Sequence, residues 1–368
     1  MDIVRTRLRN QRLAAAAPAT GPEVVRWLGA VQAQDYAAAK WAVGQRAGAL
    51  TSATLDDELA AGTILRTHVL RPTWHLVTPA DIRWMLELTA PRIRSLMAYG
   101  NRQSGLNHAT FARAEGVILE ALVGGRQLTR SELGAVLLRA GIETAGSAGL
   151  GRVMLHAELD GLVCSGALCG KQHTYALLDE RTPPGRASDR DRAMAELAAR
   201  YFASHGPATI SDFSWWSGLS AADARRGANT AEPALEPVGV ENRTYWFSPR
   251  PEPARRGTVS TMLLLPNFDE YTVAYADRGL LHEHQSRPLT PVEVLGNTVI
   301  VEGRVVGAWK RVVSRAAVRV TLSLFRSLST RELAAARDAA ERYGRFCELP
   351  VTLELHSAPA GTGRVVSA

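Results

Sequence analysis

Four polar residues crowd the stretch Gly29-Ala-Val-Gln-Ala-Gln-Asp-Tyr36, at the end of an otherwise apolar segment: Gln32, Gln34, Asp35 and Tyr36. A carboxamide does not titrate, so it cannot act as an ordinary general base. Its oxygen can accept a hydrogen bond from water, and its fixed dipole can favour a cation developing nearby. In a continuous helix, at ~100° per residue, Gln32 and Gln34 would point about 200° apart. Gln32, Asp35 and Tyr36 would then share a face. The two glutamines can serve one centre only if the backbone leaves helical geometry between them. An ordinary polar helix end is the plain alternative.

Other chemistries lack their minimal parts. The nine histidines include no His-x-x-x-His pair. His282 and His284 flank Glu283 in a polar stretch that reads as a solvated loop, so no metal site is expected. There is no P-loop, no Gly-x-Gly-x-x-Gly opening a helix, and no Gly-x-Ser-x-Gly elbow. No cofactor is expected. Cys164, Cys169 and Cys347 are too few and too scattered for a disulfide framework or a cysteine zinc site.

The chain has 368 residues, 46 % of them hydrophobic and 21 % charged, as in a globular protein of two or three domains. The formal charge is +7, and a basic balance favours a polyanionic partner. Only Lys40, Lys171 and Lys310 are lysine among 43 basic residues. That arginine skew is typical of high-GC coding and dilutes the meaning of the charge. Arg5, Arg7, Arg9 and Arg12 are followed by no apolar leader, and no run of eighteen apolar residues occurs. A cytoplasmic protein without membrane contact is expected.

The elements that must position the glutamines read as a repeat. Leu50-Thr51-Ser52, Leu128-Thr129-Arg130 and Ile210-Ser211-Asp212 each place capping residues before a helical pattern. Each is preceded by an amphipathic helix, around residues 23–34, 111–122 and 192–202. Each is followed by a strand pair containing Thr73-Trp74, Thr174-Tyr175 or Thr244-Tyr245. Helix, capped helix, helix and hairpin is the winged helix-turn-helix plan, which places one helix in a DNA groove and a hairpin along the backbone. The expected class is α+β: three tandem winged helices forming a concave DNA channel, plus a strand-rich C-terminal α+β module.

The expected boundaries are 1–100 with a bridging helix at 79–99, 101–184, 185–256, and 257–368. The last of these is expected to pack on the third unit. Pro- and Gly-rich connectors at 181–189 and 250–257 support the division, and the last dozen residues read as frayed. Trp215 and Trp216 read as core residues. With three units in one chain, a monomer is expected.

Gln32-Ala33-Gln34, Arg66-Thr-His-Val-Leu-Arg-Pro-Thr-Trp-His-Leu-Val77, Leu264-Leu-Pro-Asn-Phe-Asp-Glu-Tyr271 and Val301-Glu-Gly-Arg-Val-Val-Gly-Ala-Trp309 occur in that order. Together they resemble the tandem winged-helix DNA glycosylases of the AlkZ-like type, from about residue 3 to 356. The resemblance implies excision of N7-alkylated guanines, unhooking of interstrand crosslinks, and in producers of DNA-alkylating natural products a self-resistance role. It places the family's Gln-apolar-Gln signature on Gln32 and Gln34, with a small Ala33 between them.

An N7-alkylguanine is cationic and already a good leaving group, so a strong acid is unnecessary. The expected roles are Gln34 holding the attacking water and Gln32 orienting that water or the sugar, with the reverse assignment open. A lyase would need an amine. Lys40 is near the motif, yet a monofunctional, water-using enzyme acting from an open channel is the favoured reading.

Arg66, His68, Arg71 and His75 on the first hairpin, with Arg243, Arg255 and Arg256, are candidates for DNA contact. Asp35, Tyr36, Asp269 and Tyr271 are candidate supports, and Asp269 can equally cap a turn. The expected partner is duplex DNA carrying alkylated purines. A non-catalytic winged-helix regulator or sequestration factor is the alternative, and a protein scaffold a third.

Overall fold

Capping residues start the helices where the sequence places them. The computed structural model describes residues 1–14, 19–144, 146–182, 185, 189–231, 234–249, 262–282 and 289–357. After α1 (Ile3–Asn10), the first unit runs α2 (Gly21–Leu28), β1 (Val31–Gln32), α3 (Tyr36–Ala47), α4 (Ser52–Ala61), β2 (Leu65–His68) and β3 (Trp74–Val77). Its sheet has the order β1-β3-β2. Helix α5 (Ile82–Gln103) leads to the second unit: α6 (His108–Leu122), β4 (Leu128–Thr129), α7 (Arg130–Arg139), α8 (Gly146–Leu159), β5 (Val163–Cys169) and β6 (Gln172–Leu177). Its sheet order, β4-β6-β5, is the same.

A short α9 (Leu178–Arg181) precedes the third unit: α10 (Arg190–Ser204), α11 (Ile210–Ser217), α12 (Ala221–Thr230), β7 (Glu236–Val240) and β8 (Arg243–Phe247). There the first strand is reduced to one bridge, Ala208 with Trp246 of β8. The succession of helix, short strand, two helices and hairpin therefore occurs three times, as the winged-helix plan requires.

The expected alignment of the repeat was out by one helix in the first unit. Thr129 and Thr209 cap the second helix of their units, α7 and α11. The equivalent cap in the first unit is Asp35, before α3. Thr51 caps α4, the third helix. Hydroxyl and carboxylate caps look alike before any helix, and a two-residue strand leaves no periodic signal to mark the place. The helix expected over 23–34 also stops early. Gly29 takes φ +83°, where a side chain is strained, and the chain turns into β1.

The C-terminal module contains β9 (Met262–Leu265), α13 (Glu270–Val273), α14 (Pro291–Leu295), β10 (Thr298–Val301), β11 (Arg304–Val313), β12 (Val318–Leu324), α15 (Thr330–Cys347) and β13 (Val351–Ser357). Its sheet order is β13-β12-β11-β10-β9, with only the β12–β13 pair parallel. Helix α15 buries Ala336, Ala339, Ala340, Tyr343 and Phe346 on one face.

That face and the sheet pack chiefly on the first unit, not the third. Val24, Leu28, Trp41 and Val43 share one core with Val299, Trp309 and Phe346. Each fully buried large apolar side chain there contributes about 1.5–3 kcal/mol. Among the described residues, the third unit meets the module at the stretch around α13, where Tyr201 Oη donates to Ala274 O at 2.9 Å. Helix α1 lies on the module through Leu8, and Leu13 just beyond it joins the same cluster. Trp216 is fully buried as expected, but Trp215 is 45 % exposed. Most of the 181–189 connector, the 250–257 connector with Arg255 and Arg256, Glu283, His284, and residues 358–368 lie outside the described residues.

One ion pair bolts the module to α3. Arg46 and Asp269 are both fully buried and paired at 2.7 Å. Asp269 also accepts from Tyr271 N–H at 2.9 Å, capping α13. Removing one partner strands a buried charge, so Asp269→Asn is expected to cost about 3–5 kcal/mol. Urea unfolding followed by circular dichroism measures it; an unchanged midpoint contradicts the assignment.

Candidate active site

The pleat of the first unit's sheet sorts the candidate residues onto two faces. Gln32 lies opposite His75, which lies opposite Thr67. Arg66 lies opposite Leu76, and His68 opposite Trp74. Side chains alternate along a strand, so Gln32 and His75 share one face while Arg66, His68 and Trp74 share the other. Ala33 N–H adds one further bond to Trp74 O at 2.7 Å, and the chain then bends at Gln34 and Asp35. Asp35 then caps α3, accepting from Ala38 N–H at 3.1 Å. The backbone thus leaves helical geometry before Gln32, and both glutamines lie between α2 and α3.

Gln32 is held at two points and is only 8 % exposed. Its N–H donates to Glu270 Oε1 at 2.9 Å. Its side-chain oxygen accepts from Arg71 Nη2 at 2.7 Å. Arginine only donates, so the carboxamide oxygen must be the atom facing it. Arg71 Nη1 donates to Trp216 O at 3.0 Å and to Trp215 O at 3.3 Å. Gln34, by contrast, is exposed, and its oxygen has one long contact, Trp74 N–H at 3.4 Å. It is the carboxamide better placed to receive water.

Behind Gln32, Glu270 is fully buried. Its Oε2 accepts from the Trp216 indole at 2.9 Å and lies 3.3 Å from His205 Nε2. Burial pushes the carboxyl upward, but the His205 edge, the Gln32 N–H and the Arg71 charge outweigh it and hold the group down at about 2. Glu270 is therefore a carboxylate at neutral pH. Burial lowers the Arg71 pKa, with Glu270 opposing.

Several candidate DNA contacts are internal instead. Arg71 directs its guanidinium at Gln32 and two carbonyls rather than at a phosphate. His75 is fully buried and cannot reach DNA. Burial and then the Arg71 charge lower it to about 3, so its ring is neutral. Its Nδ1–H donates to Thr73 O at 2.9 Å. His68 joins the first unit to the second: its ring nitrogen meets Glu158 Oε2, its N–H donates to the same atom at 3.1 Å, and its ring lies 4.3 Å from Trp74. Arg66 is 8 % exposed and donates from Nε to Ala33 O at 3.1 Å. Arg243 is exposed and pairs with Asp277.

The candidate supports are structural. Tyr36 Oη donates to Asp56 at 2.9 Å, and burial together with Asp56 raises its pKa. Lys40 Nζ lies 2.7 Å from the same carboxylate and 2.7 Å from Ser52 Oγ, so its amine is ion-paired. Tyr271 is buried and donates to Gly303 O at 2.9 Å. Sequence reasoning missed Glu270, Trp216 and Glu158 as partners. Glu270 was visible as an acid beside the apolar run 262–265, a costly residue to bury without a purpose. Among the described residues, one group with metal-ligand potential occurs, Glu115, His156 and Asp160. It lies on α6 and at the end of α8, in the second unit rather than beside the glutamines.

The α+β fold, with its threefold succession of helices and hairpin, is that of a DNA glycosylase. The profile of the family described as DNA glycosylase AlkZ-like matches residues 25–346, and the chain belongs to that family. It is similar to the interstrand DNA cross-link repair glycosylase of Streptomyces sahachiroi, at 27 % identity over 321 residues, 83 % of this chain and 85 % of the relative. The solved structure of Streptomyces sahachiroi DNA glycosylase AlkZ superposes with a TM-score of 0.78 at 25 % identity, covering 95 % of this chain and 98 % of that one. Among the described residues, no helix is long and apolar enough to cross a membrane.

Two outcomes follow from this geometry. Arg71→Met frees the Gln32 carboxamide, so base excision is expected to fall about 10–100-fold, the effect of loosening a preorganised dipole. Affinity for undamaged duplex and its salt slope should hardly change. A slope reduced by about one would instead mark Arg71 as a phosphate contact. For His75, the folded pKa lies below the unfolded one. Its contribution to stability is full above pH ~6.5 and is lost as pH falls toward about 3. In His75→Phe, the fall in stability between pH 6 and 4, followed by urea titration, should be shallower by about one proton.

Proposed function

We propose that the protein hydrolyses the N-glycosidic bond of N7-alkylguanines in duplex DNA, including adducts that crosslink the strands. We further propose that it protects a producer from its own DNA-alkylating natural product. The observation carrying this reading is the glutamine pair: an exposed Gln34 beside a Gln32 whose oxygen and N–H are both anchored. Such a pair suits a substrate that leaves without acid help. Gln34 holds a water against C1′, and Gln32, its oxygen held by Arg71, has its side-chain N–H groups left to orient that water or the sugar. No step requires an amine, and the only lysine near the motif is ion-paired. The S. sahachiroi relative, whose name states cross-link repair, supports the crosslink part of the proposal.

The working unit is a monomer whose three winged helices (1–100, 101–184 and 185–256) line a DNA channel, with 257–368 as a brace. Duplexes carrying a single N7-alkylguanine, incubated with protein and then treated with alkali, test the reading. Strand breaks should depend on the protein, fall ~10²–10³-fold in Gln34→Ala, and vanish in the Gln32→Ala/Gln34→Ala double variant. Borohydride should trap no enzyme on DNA. Unimpaired excision by the double variant would refute the mechanism, and tight binding to undamaged DNA without excision would favour a regulator.

A further inference from the structure

Between the first and second units lies a cavity of about 240 Å³, lined by Arg66, Trp74, Arg130, Ser131, His173 and Tyr175, together with Gln172. Among the described residues, no carboxylate lines it. Arg66 enters from β2 with its guanidinium 4.3 Å over the Trp74 ring. Its Nε is engaged by Ala33 O. Neither Nη meets an acceptor among the described residues, although the residue is only 8 % exposed. The nearby carboxylate, Glu158, is already engaged by His68 and by the Trp74 indole at 3.3 Å. A cation buried without a paired anion is costly.

The other walls point the same way. Arg130 and Ser131 open α7, where first-turn N–H groups favour an anion. The exposed Glu132 is turned back onto Thr129 in the capping box. His173 Nδ1 is buried without a partner. Burial, and then the Arg66 charge, lower the pKa of His173 to about 4, in keeping with a positive field.

We propose that this cavity clamps one phosphodiester of the lesion-bearing strand, with the Arg66 Nη groups, Arg130 and the α7 N–H groups as donors. The proposal rests on the DNA glycosylase reading and deepens it. Trp74 links the clamp to the glutamines, since its ring walls the cavity while its N–H lies 3.4 Å from Gln34 Oε1. A phosphate held by charge-assisted bonds here sets the register of the strand against Gln34.

Binding of the full chain to duplexes carrying a tetrahydrofuran abasic analogue tests this, read by fluorescence anisotropy. A single neutral methylphosphonate is moved step by step along the same strand. One position should lower wild-type affinity about tenfold, the loss of one charge-assisted contact. Arg66→Gln should weaken binding to the all-phosphate duplex similarly, abolish sensitivity at that position, and reduce the salt slope by about one. Arg130→Gln, at an exposed position that spares the core, should blunt the same sensitivity, and it decides the matter if Arg66→Gln does not fold.

A flat methylphosphonate profile overturns the proposal, as does full sensitivity in the variants. Inorganic phosphate that quenches Trp74 in an Arg130-dependent way, alongside a flat profile, means a free anion rather than the strand. A single sensitive phosphate in a protein that excises no alkylguanine would sink the catalytic reading and leave this one standing. Excision with a flat profile would do the reverse.

Discussion

Glu270 is the group on which the geometry of the site depends. A carboxylate without solvent access must have its lone pairs met inside the protein. They are met by the Gln32 N–H from β1 and the Trp216 indole from α11, with His205 alongside. Arg71 supplies the compensating charge and closes the arrangement by donating to the Gln32 oxygen and to the carbonyls of Trp215 and Trp216. Positions far apart in sequence are thereby fixed within hydrogen-bond length of one another. Charge-assisted bonds are short and strong, and losing one partner of a buried set costs more than the set contributes. The Gln32 carboxamide is thus held in one orientation by the protein itself.

The first unit's small sheet works as a partition. One face, with Gln32 and His75, turns to the third unit and to Glu270. The other, with Arg66, His68 and Trp74, turns to the second unit through Glu158 and Ser165. The edge strand β2 has unpaired N–H groups, and Ser165 Oγ and Glu158 Oε2 satisfy two of them, at Arg66 and His68. Docking the second unit therefore depends on polar atoms that a free edge would expose. The C-terminal module braces the opposite side, where Trp41 Nε1 donates to Leu264 O at 2.7 Å. Gln32 is thus packed between neighbouring units, while Gln34 lies at the exposed bend before α3.

Much of the fold was legible because capping chemistry and apolar periodicity are local. The helices at 108–122, 190–204 and 330–347 fall where amphipathic spacing and caps place them. The strand pairs containing Thr73-Trp74, Thr174-Tyr175 and Thr244-Tyr245 also fall where expected. The first short strand of each unit was not legible, since two residues carry no periodic signal. That gap shifted the repeat by one helix in the first unit and extended its opening helix past Gly29.

From the sequence alone came the kinds of group available: two carboxamides flanking one alanine, few amines, abundant arginine and three similar helix-and-hairpin units, with the family resemblance those motifs carry. Which arginine meets solvent and which is turned inward could not be read there. Arg71 and Arg66 lie five residues apart on one hairpin, yet one anchors Gln32 while the other faces a cavity on the opposite side of the sheet. His75 and His68 differ in the same way, one neutral in the core and one at a seam between units. Residue type and spacing are properties of the chain. Burial, partner and charge state depend on contacts between distant segments, and only tertiary packing brings Glu270 to Gln32 and leaves Arg66 without a carboxylate.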